Sequence, residues 1–241
     1  MNTLDAFKIN PHSIYESNNY RFICCINLLE FGKTLFESAY VIDNLNKLKL
    51  LCETCGPSIP PKREQVEGFT YNGLVDSIKI SICFENFGKC ILLAKGYLVH
   101  NIDKEVFPNL EKEQKKRPIL IEEFPGEWIE SNKIITTVSS LKEVKKGLTM
   151  NTINYSTMLN RESYFQKCLY DEELLSFLKE INGNRNQLHL ANSLNFVLKD
   201  NSYNLYNQLN EFVKTKFPKF KSQLMEHLPD NLDPNPSFII K

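Results

Sequence analysis

The sequence predicts an all-α fold: an elongated helical bundle with two long N-terminal helices, an irregular insertion and shorter helices towards the C-terminus. Three observations lead there. Apolar residues recur at spacings of three and four over two long stretches. Proline falls between those stretches rather than inside them. Strand-like alternation is confined to one short run, Ile78 to Ile82, inside a longer helical period.

The first stretch runs from about Ser17 to Leu51, where Tyr20, Cys24, Leu28, Phe31, Leu35, Ala39 and Ile42 mark one helix face. Cys55-Gly56-Pro57 and Pro60-Pro61 end it. The second runs from about Thr70 to Asn101, with Ile80, Phe84, Phe87, Ile91, Ala94 and Leu98 as its stripe. Glu30-Phe31-Gly32-Lys33 and Glu85-Asn86-Phe87-Gly88-Lys89 place a glycine at the middle of each helix, where two backbones could approach closely. Two such segments do not establish a repeat.

Residues 102–131 read as an irregular insertion. It carries the charge run Glu111 to Arg117, which is read as solvated surface, and the single tryptophan, Trp128. Helical signals resume with the capping-box spacing Ser140-Leu141-Lys142-Glu143. A helix follows over Tyr155 to Cys168, and another begins at Asp171 and ends at Asn182-Gly183-Asn184. The next helix runs through Leu188, Ala191, Leu194 and Leu198, and a last one carries Leu205, Leu209 and Phe212. The domain organisation expected is a single helical domain over residues 1–228 with a loose proline-containing tail at 229–241.

Composition narrows the function. Twenty-nine basic side chains balance twenty-nine acidic ones, which argues against a protein that coats DNA without specificity. No apolar run approaches the roughly 18 residues that span a bilayer, and the N-terminus lacks a signal-peptide pattern, so the expectation is a cytoplasmic protein with no membrane partner. Seven cysteines, an odd number lying largely in apolar stretches, read as reduced thiols. Cys52-Glu53-Thr54-Cys55 has zinc-knuckle spacing but no second C-x-x-C, so no metal site is expected there. No nucleotide-cradling glycine loop, nucleophile elbow or zincin motif occurs, and no cofactor is expected.

What is left is a short polar cluster, Arg185-Asn186-Gln187-Leu188-His189. With Arg185 in the first turn of a helix, His189 lies one turn on along the same face. A histidine that titrates near neutrality and a permanent guanidinium charge are what cleavage of RNA by its own 2′-hydroxyl requires. Asn186 is placed to bond the phosphate or to hold the imidazole. The competing reading is an ordinary polar helix start.

Long helices followed by a shorter one that opens R-N-x-x-H resemble the HEPN superfamily, many of whose members are RNases of toxin–antitoxin and phage-defence systems. Arg185 and Asn186 match the opening of that family's motif. His189 matches its histidine with three intervening residues, where the family has four to six. Glu85 and Lys89 look like the Glu/Lys pair carried on an earlier helix. The resemblance implies a metal-independent endoribonuclease, or a degenerate RNA-binding relative, that works as a homodimer. It also implies RNA-backbone contacts from Lys142, Lys145 and Lys146, and an antitoxin-type protein as a further partner. The alternative from a different class is a non-catalytic helical interaction module, an immunity or adaptor protein presenting the region around Trp128.

Overall fold

The computed structural model describes residues 13–16, 18–56, 58–125, 147–168, 170–187 and 201–228. These are largely helical. In chain order they form α1 (Ser13–Glu16), α2 (Asn18–Glu37), α3 (Val41–Thr54), α4 (Arg63–Ala94), β1 (His100–Ile102) and α5 (Pro108–Gln114). A 3-10 turn at Ile121–Glu123, β2 (Leu148–Thr152), α6 (Tyr155–Asn160), α7 (Glu162–Phe165), α8 (Glu172–Gln187) and α9 (Ser202–Met225) follow. Among the described residues no helix is long and apolar enough to cross a membrane. The capping-box helix at Ser140, the helix through Leu188 to Leu198 and the C-terminal tail lie outside the described residues.

The chain divides into two compact units, one made of Met1–Leu28, Gly88–Cys168 and Lys221–Lys241, the other of Leu29–Phe87 and Leu169–Phe220. In the second unit the first predicted helix is two helices. α2 stops at Glu37 and α3 restarts at Val41. The signal for this break is not local, because Tyr40 at the start of α3 offers no side-chain cap. The cap comes from α4. Asp76 Oδ2 accepts from the Tyr40 N–H (3.2 Å) and from Asn44 Nδ2 (2.7 Å), which sets a carboxylate at the positive end of α3. Lys79 Nζ donates to the Ser38 carbonyl (2.6 Å), covering a C-terminal acceptor of α2.

The buried face of α2 also differs from the predicted stripe. Cys25, Ile26, Leu29 and Phe36 are buried, whereas Tyr20 and Phe31 are more than half exposed. Apolar residues surround this helix, and two overlapping stripes fit the same sequence. Gly32 behaves as expected: a Cβ there would lie 3.2 Å from the Cys83 carbonyl oxygen, so α2 and α4 approach at that point. On α4 the stripe holds, with Ile80, Phe84, Phe87 and Ile91 buried. Phe87 stacks on Phe217 of α9 with ring centroids 4.8 Å apart, and both Phe84 and Phe87 meet Phe212 and Tyr170. This aromatic cluster fixes the rotation of α4 in the second unit.

In the first unit α4 ends well before Asn101. The Tyr97 N–H bonds the Leu92 carbonyl and the Gly96 N–H bonds that of Leu93 (both 2.9 Å), with Gly96 at φ +81°. That is a Schellman cap, and Gly96 is the residue that permits it. The chain then enters β1, which pairs antiparallel with β2, His100 opposite Thr152 and Ile102 opposite Leu148, with an irregularity between. The described part of the predicted insertion is therefore partly regular. Its charge run builds α5, with pairs Glu111–Lys115 (2.5 Å) and Glu113–Arg117 (2.8 Å) one turn apart. Gln114 in the middle of that run is buried, and its amide bonds both the Ile102 N–H (2.8 Å) and the His100 carbonyl (2.9 Å). It covers the edge of β1 as another strand would. The helix predicted over Tyr155 to Cys168 is likewise broken, into α6 and α7, at the extended backbone of Arg161.

Candidate functional site

Among the described residues, the structure brings together two of the site residues singled out from the sequence, Arg185 and Glu85. Arg185 Nη1 donates to Glu85 Oε2 at 3.0 Å, joining α8 to α4 across one hundred residues of chain within the second unit. Each partner is held by its own helix. Glu85 follows Phe84, whose ring and carbonyl are engaged by Tyr170; the Tyr170 hydroxyl donates to the Phe84 carbonyl at 2.6 Å. Arg185 is carried by α8, which buries Leu174, Leu175, Phe177, Leu178, Ile181 and Asn182 at helical spacing.

α8 begins as the sequence indicates and ends later. Asp171 Oδ1 accepts from the Leu174 N–H at 2.7 Å, an N-cap with Glu172 and Glu173 behind it in the first turn. The helix does not stop at Asn182-Gly183-Asn184. It continues to Gln187, so Arg185 lies in the last turn of α8 and not in the first turn of a following helix. Burial of Ile181 and Asn182 keeps the helix packed through the glycine, which outweighs its low helical propensity of about 1 kcal/mol. An arginine in that turn also faces the negative end of the helix dipole, which favours a cation.

The side chains of the pair are 33% and 15% exposed for Arg185 and Glu85. That places the interaction between the ~0.5 kcal/mol of a solvent-exposed pair and the ~3 kcal/mol lost when a buried one is broken. The guanidinium is oriented by Glu85, while about a third of the Arg185 side chain still meets solvent.

Lys89 stands one turn beyond Glu85 on α4 and belongs to the first unit. It is buried, and its Nζ donates to Thr152 Oγ1 of β2 at 2.8 Å. Asn186 lies within α8, but its side chain is outside the described residues, as are His189, Lys142, Lys145, Lys146 and Trp128. The C-x-x-C cysteines sit at the end of α3, Cys52 exposed and Cys55 half-buried. Among the described residues no three His, Cys, Asp or Glu side chains gather as metal ligands. Cys25, Cys83, Cys90 and Cys168 are buried free thiols, and burial pushes the Cys24 and Cys168 thiols up to about 12.

Two polar arrangements were not legible in the sequence. One is the Asp76–Asn44–Tyr40 cap described above; burial raises the Asp76 carboxyl above the ordinary range, against the lowering effect of its hydrogen bonds and of Lys79. The other is in the first unit. Tyr15 Oη accepts from the Val99 and His100 N–H groups (3.0 Å each) and sits 2.8 Å from His100 Nδ1. Its partners are more than eighty positions away, and no local pattern announces them. A polar groove of about 490 Å³ in the same unit is lined by Asn101, Asp103, Thr149, Asn151 and Asn154 among others. Four of those side chains bond the backbone of their own strand pair and loops: Asn101 to Thr152, Asp103 to Glu105, Thr149 to Asn151 and Asn154 to Ser156. They fix local conformation.

No protein-family model, curated protein or solved structure matches the chain.

Proposed function

We propose that the chain is a HEPN-like domain that acts on RNA, as a metal-independent endoribonuclease centred on Arg185 and His189 or as a relative that retains RNA binding alone. The observation that supports this reading is the Arg185–Glu85 ion pair. It joins the opening residue of the R-N-x-x-H segment to the carboxylate of the Glu/Lys pair, two pieces that the resemblance groups as site residues.

The chemistry follows from those side chains. His189 takes the proton of a ribose 2′-hydroxyl as general base, and the 2′-oxygen forms a bond to phosphorus as the bond to the 5′-oxygen breaks. The departing 5′-oxygen gains a proton from an acid, supplied by the imidazole of a second copy in a homodimer or by water. The products are a 2′,3′-cyclic phosphate and a 5′-hydroxyl, so neither water nor metal is consumed. Arg185 supplies charge to the phosphorane, and a guanidinium held in place in advance loses little on reaction. Glu85 is the positioning partner. Asn186 bonds phosphate or imidazole, and Lys142, Lys145 and Lys146 contact the backbone, with affinity falling as salt rises. An antitoxin-type partner would mask this site in a bacterial defence or stress-response setting.

The test is incubation of the full chain with single-stranded RNA in EDTA, followed by gel analysis of cleavage and binding. Cleavage by wild type that is abolished by Arg185→Ala and by His189→Ala supports the endoribonuclease. Binding without cleavage, weakened by Arg185→Ala, supports the degenerate relative. If RNA is neither cut nor bound, the reading is wrong and the chain is better regarded as a protein-interaction module.

A further inference from the structure

The local bonds of the polar groove in the first unit use only one end of three of its side chains. The groove, of about 490 Å³, lies within the roughly 300–1,000 Å³ typical of small-molecule sites. It is lined by residues of β1, β2, α5 and α6 and of the loops beside them. Ile102 and Ile153, both buried, are the apolar part of its wall. Beside them stand Asn101, Asp103 and Asn154, each clamped at one end by nearby backbone. Asn101 Nδ2 donates to the Thr152 carbonyl (3.2 Å). Asp103 Oδ1 accepts from the Glu105 N–H and Asn154 Oδ1 from the Ser156 N–H, both at 2.9 Å. Each clamp holds its side chain in one rotamer. The second polar atom of each, Asn101 Oδ1, Asp103 Oδ2 and Asn154 Nδ2, has no partner among the described residues. Two acceptors and a donor are thereby fixed in advance around an apolar wall.

That set selects among ligand chemistries. Of the charged residues in the lining, Glu111 is neutralised by Lys115 at 2.5 Å, which leaves Asp103 and Glu105 against Lys104. An anion therefore meets a groove of its own sign. A metal ion would face the Asn154 donor, and among the described residues no three His, Cys, Asp or Glu side chains gather to hold one. No aromatic side chain lines the groove, so a nucleobase finds nothing to stack on. A hydroxyl both donates and accepts through one oxygen, and a sugar ring carries several hydroxyls beside an apolar C–H face. From this geometry we infer that the groove is a binding site for a neutral polyhydroxylated ligand, a saccharide. Its hydroxyls donate to Asp103 Oδ2 and Asn101 Oδ1 and accept from Asn154 Nδ2, and its C–H face lies on Ile102 and Ile153. Clamped side chains lose little freedom when they bind, which favours affinity. The site uses neither Arg185 nor His189, so it stands or falls separately from the RNA reading.

The experiment titrates the full chain, labelled with 15N, with methyl α-D-glucopyranoside, methyl β-D-galactopyranoside and methyl β-D-ribofuranoside in turn. At least one is expected to give saturable shifts of the Asn101, Asp103, Thr149 and Asn154 amides, with amides in the middle of α4 unchanged. Which glycoside does so separates a hexose from a ribose as the source of the hydroxyls. Two variants invert one free atom each and keep the local clamp. Asp103→Asn still accepts from the Glu105 N–H but turns the Oδ2 acceptor into a donor. Asn154→Asp still caps α6 and turns the Nδ2 donor into an acceptor. Each is expected to weaken binding by about tenfold or more. Because they alter different ends of the set, either one decides if the other does not fold. Absence of a saturable shift with all three glycosides overturns the site, and so does binding that is equally strong in the variants. A response of the same amides to inorganic phosphate in place of the glycosides also overturns it.

Discussion

Asp76 offers the sharpest test of how the second unit is held. Its carboxylate is 2% exposed and accepts from the Tyr40 N–H and from Asn44 Nδ2, while Lys79 Nζ stands 4.0 Å away. Asn44 is fully buried, and its Oδ1 has no hydrogen-bond partner among the described residues. Asp76→Ala therefore strands the Asn44 amide as a whole and removes the cap of α3. A lost bond to a charged acceptor is worth about 1.5–3 kcal/mol, and each orphaned buried group about 1–3 kcal/mol. Relief from burying a charge offsets part of that, so a net loss of about 2–4 kcal/mol is expected. Asp76→Asn behaves differently. Its carbonyl still accepts from Tyr40, and Asn44 rotates so that its idle Oδ1 receives the new NH2; the cost is within about 1 kcal/mol. The pH dependence has a definite sign. Burial raises the Asp76 pKa in the folded state, so the folded chain binds its proton more tightly than the unfolded one. Stability carried by the protonated acid is complete below the ordinary aspartate range and is lost as pH rises through the raised value. Asp76→Asn, which carries no charge to bury, thus gains relative to wild type between acid and neutral pH. Urea denaturation followed by circular dichroism, with m compared across variants, measures all three differences. If Asp76→Ala costs less than about 0.5 kcal/mol, or Asp76→Asn costs as much as Asp76→Ala, the cap described here is not what holds α3.

Other substitutions bear on separate parts of the structure. Gly147 has φ +96°, and a Cβ there would lie 2.3 Å from Phe107 Cε2, so Gly147→Ala is expected to cost about 2–4 kcal/mol. Gly96, at φ +81° with open space around it, should cost only about 1 kcal/mol on the same change, and thermal melts of the two variants test the ranking. A double-mutant cycle of Glu85→Gln and Arg185→Gln is expected to give a coupling of about 0.5–3 kcal/mol; additivity would mean the pair contributes nothing. Timed alkylation read by mass spectrometry should label Cys52 first and leave Cys25, Cys83, Cys90 and Cys168 unmodified until the chain unfolds.

What the sequence made legible was periodic or local. The stripe Ile80–Phe84–Phe87–Ile91 and the Asp171 cap both act within one helix, and both stand where the pattern put them. The break between α2 and α3 was not legible, because Asp76 and Lys79 supply it from another helix. The run of α8 through Asn182-Gly183-Asn184 was missed because packing of Ile181 and Asn182 overrode local propensity. Gly96 is different: it is a local cap signal that lies inside the apolar run extending to Asn101, and with φ +81° it ends α4 there. In the candidate site, nothing local indicated that Glu85 would meet Arg185, one hundred residues further along the chain. The resemblance groups Lys89 with Glu85, and nothing local indicated that Lys89 would bond Thr152.

The role proposed for Arg185 can be read from the ends of cleaved RNA. After incubation of the full chain with a defined RNA in EDTA, mass spectrometry of the fragments is expected to show 2′,3′-cyclic phosphates with 5′-hydroxyls. Arg185→Ala is expected to yield none, even though its circular dichroism matches wild type. Fragments with 3′-hydroxyl and 5′-phosphate ends, or an Arg185→Ala variant as active as wild type, would contradict the account.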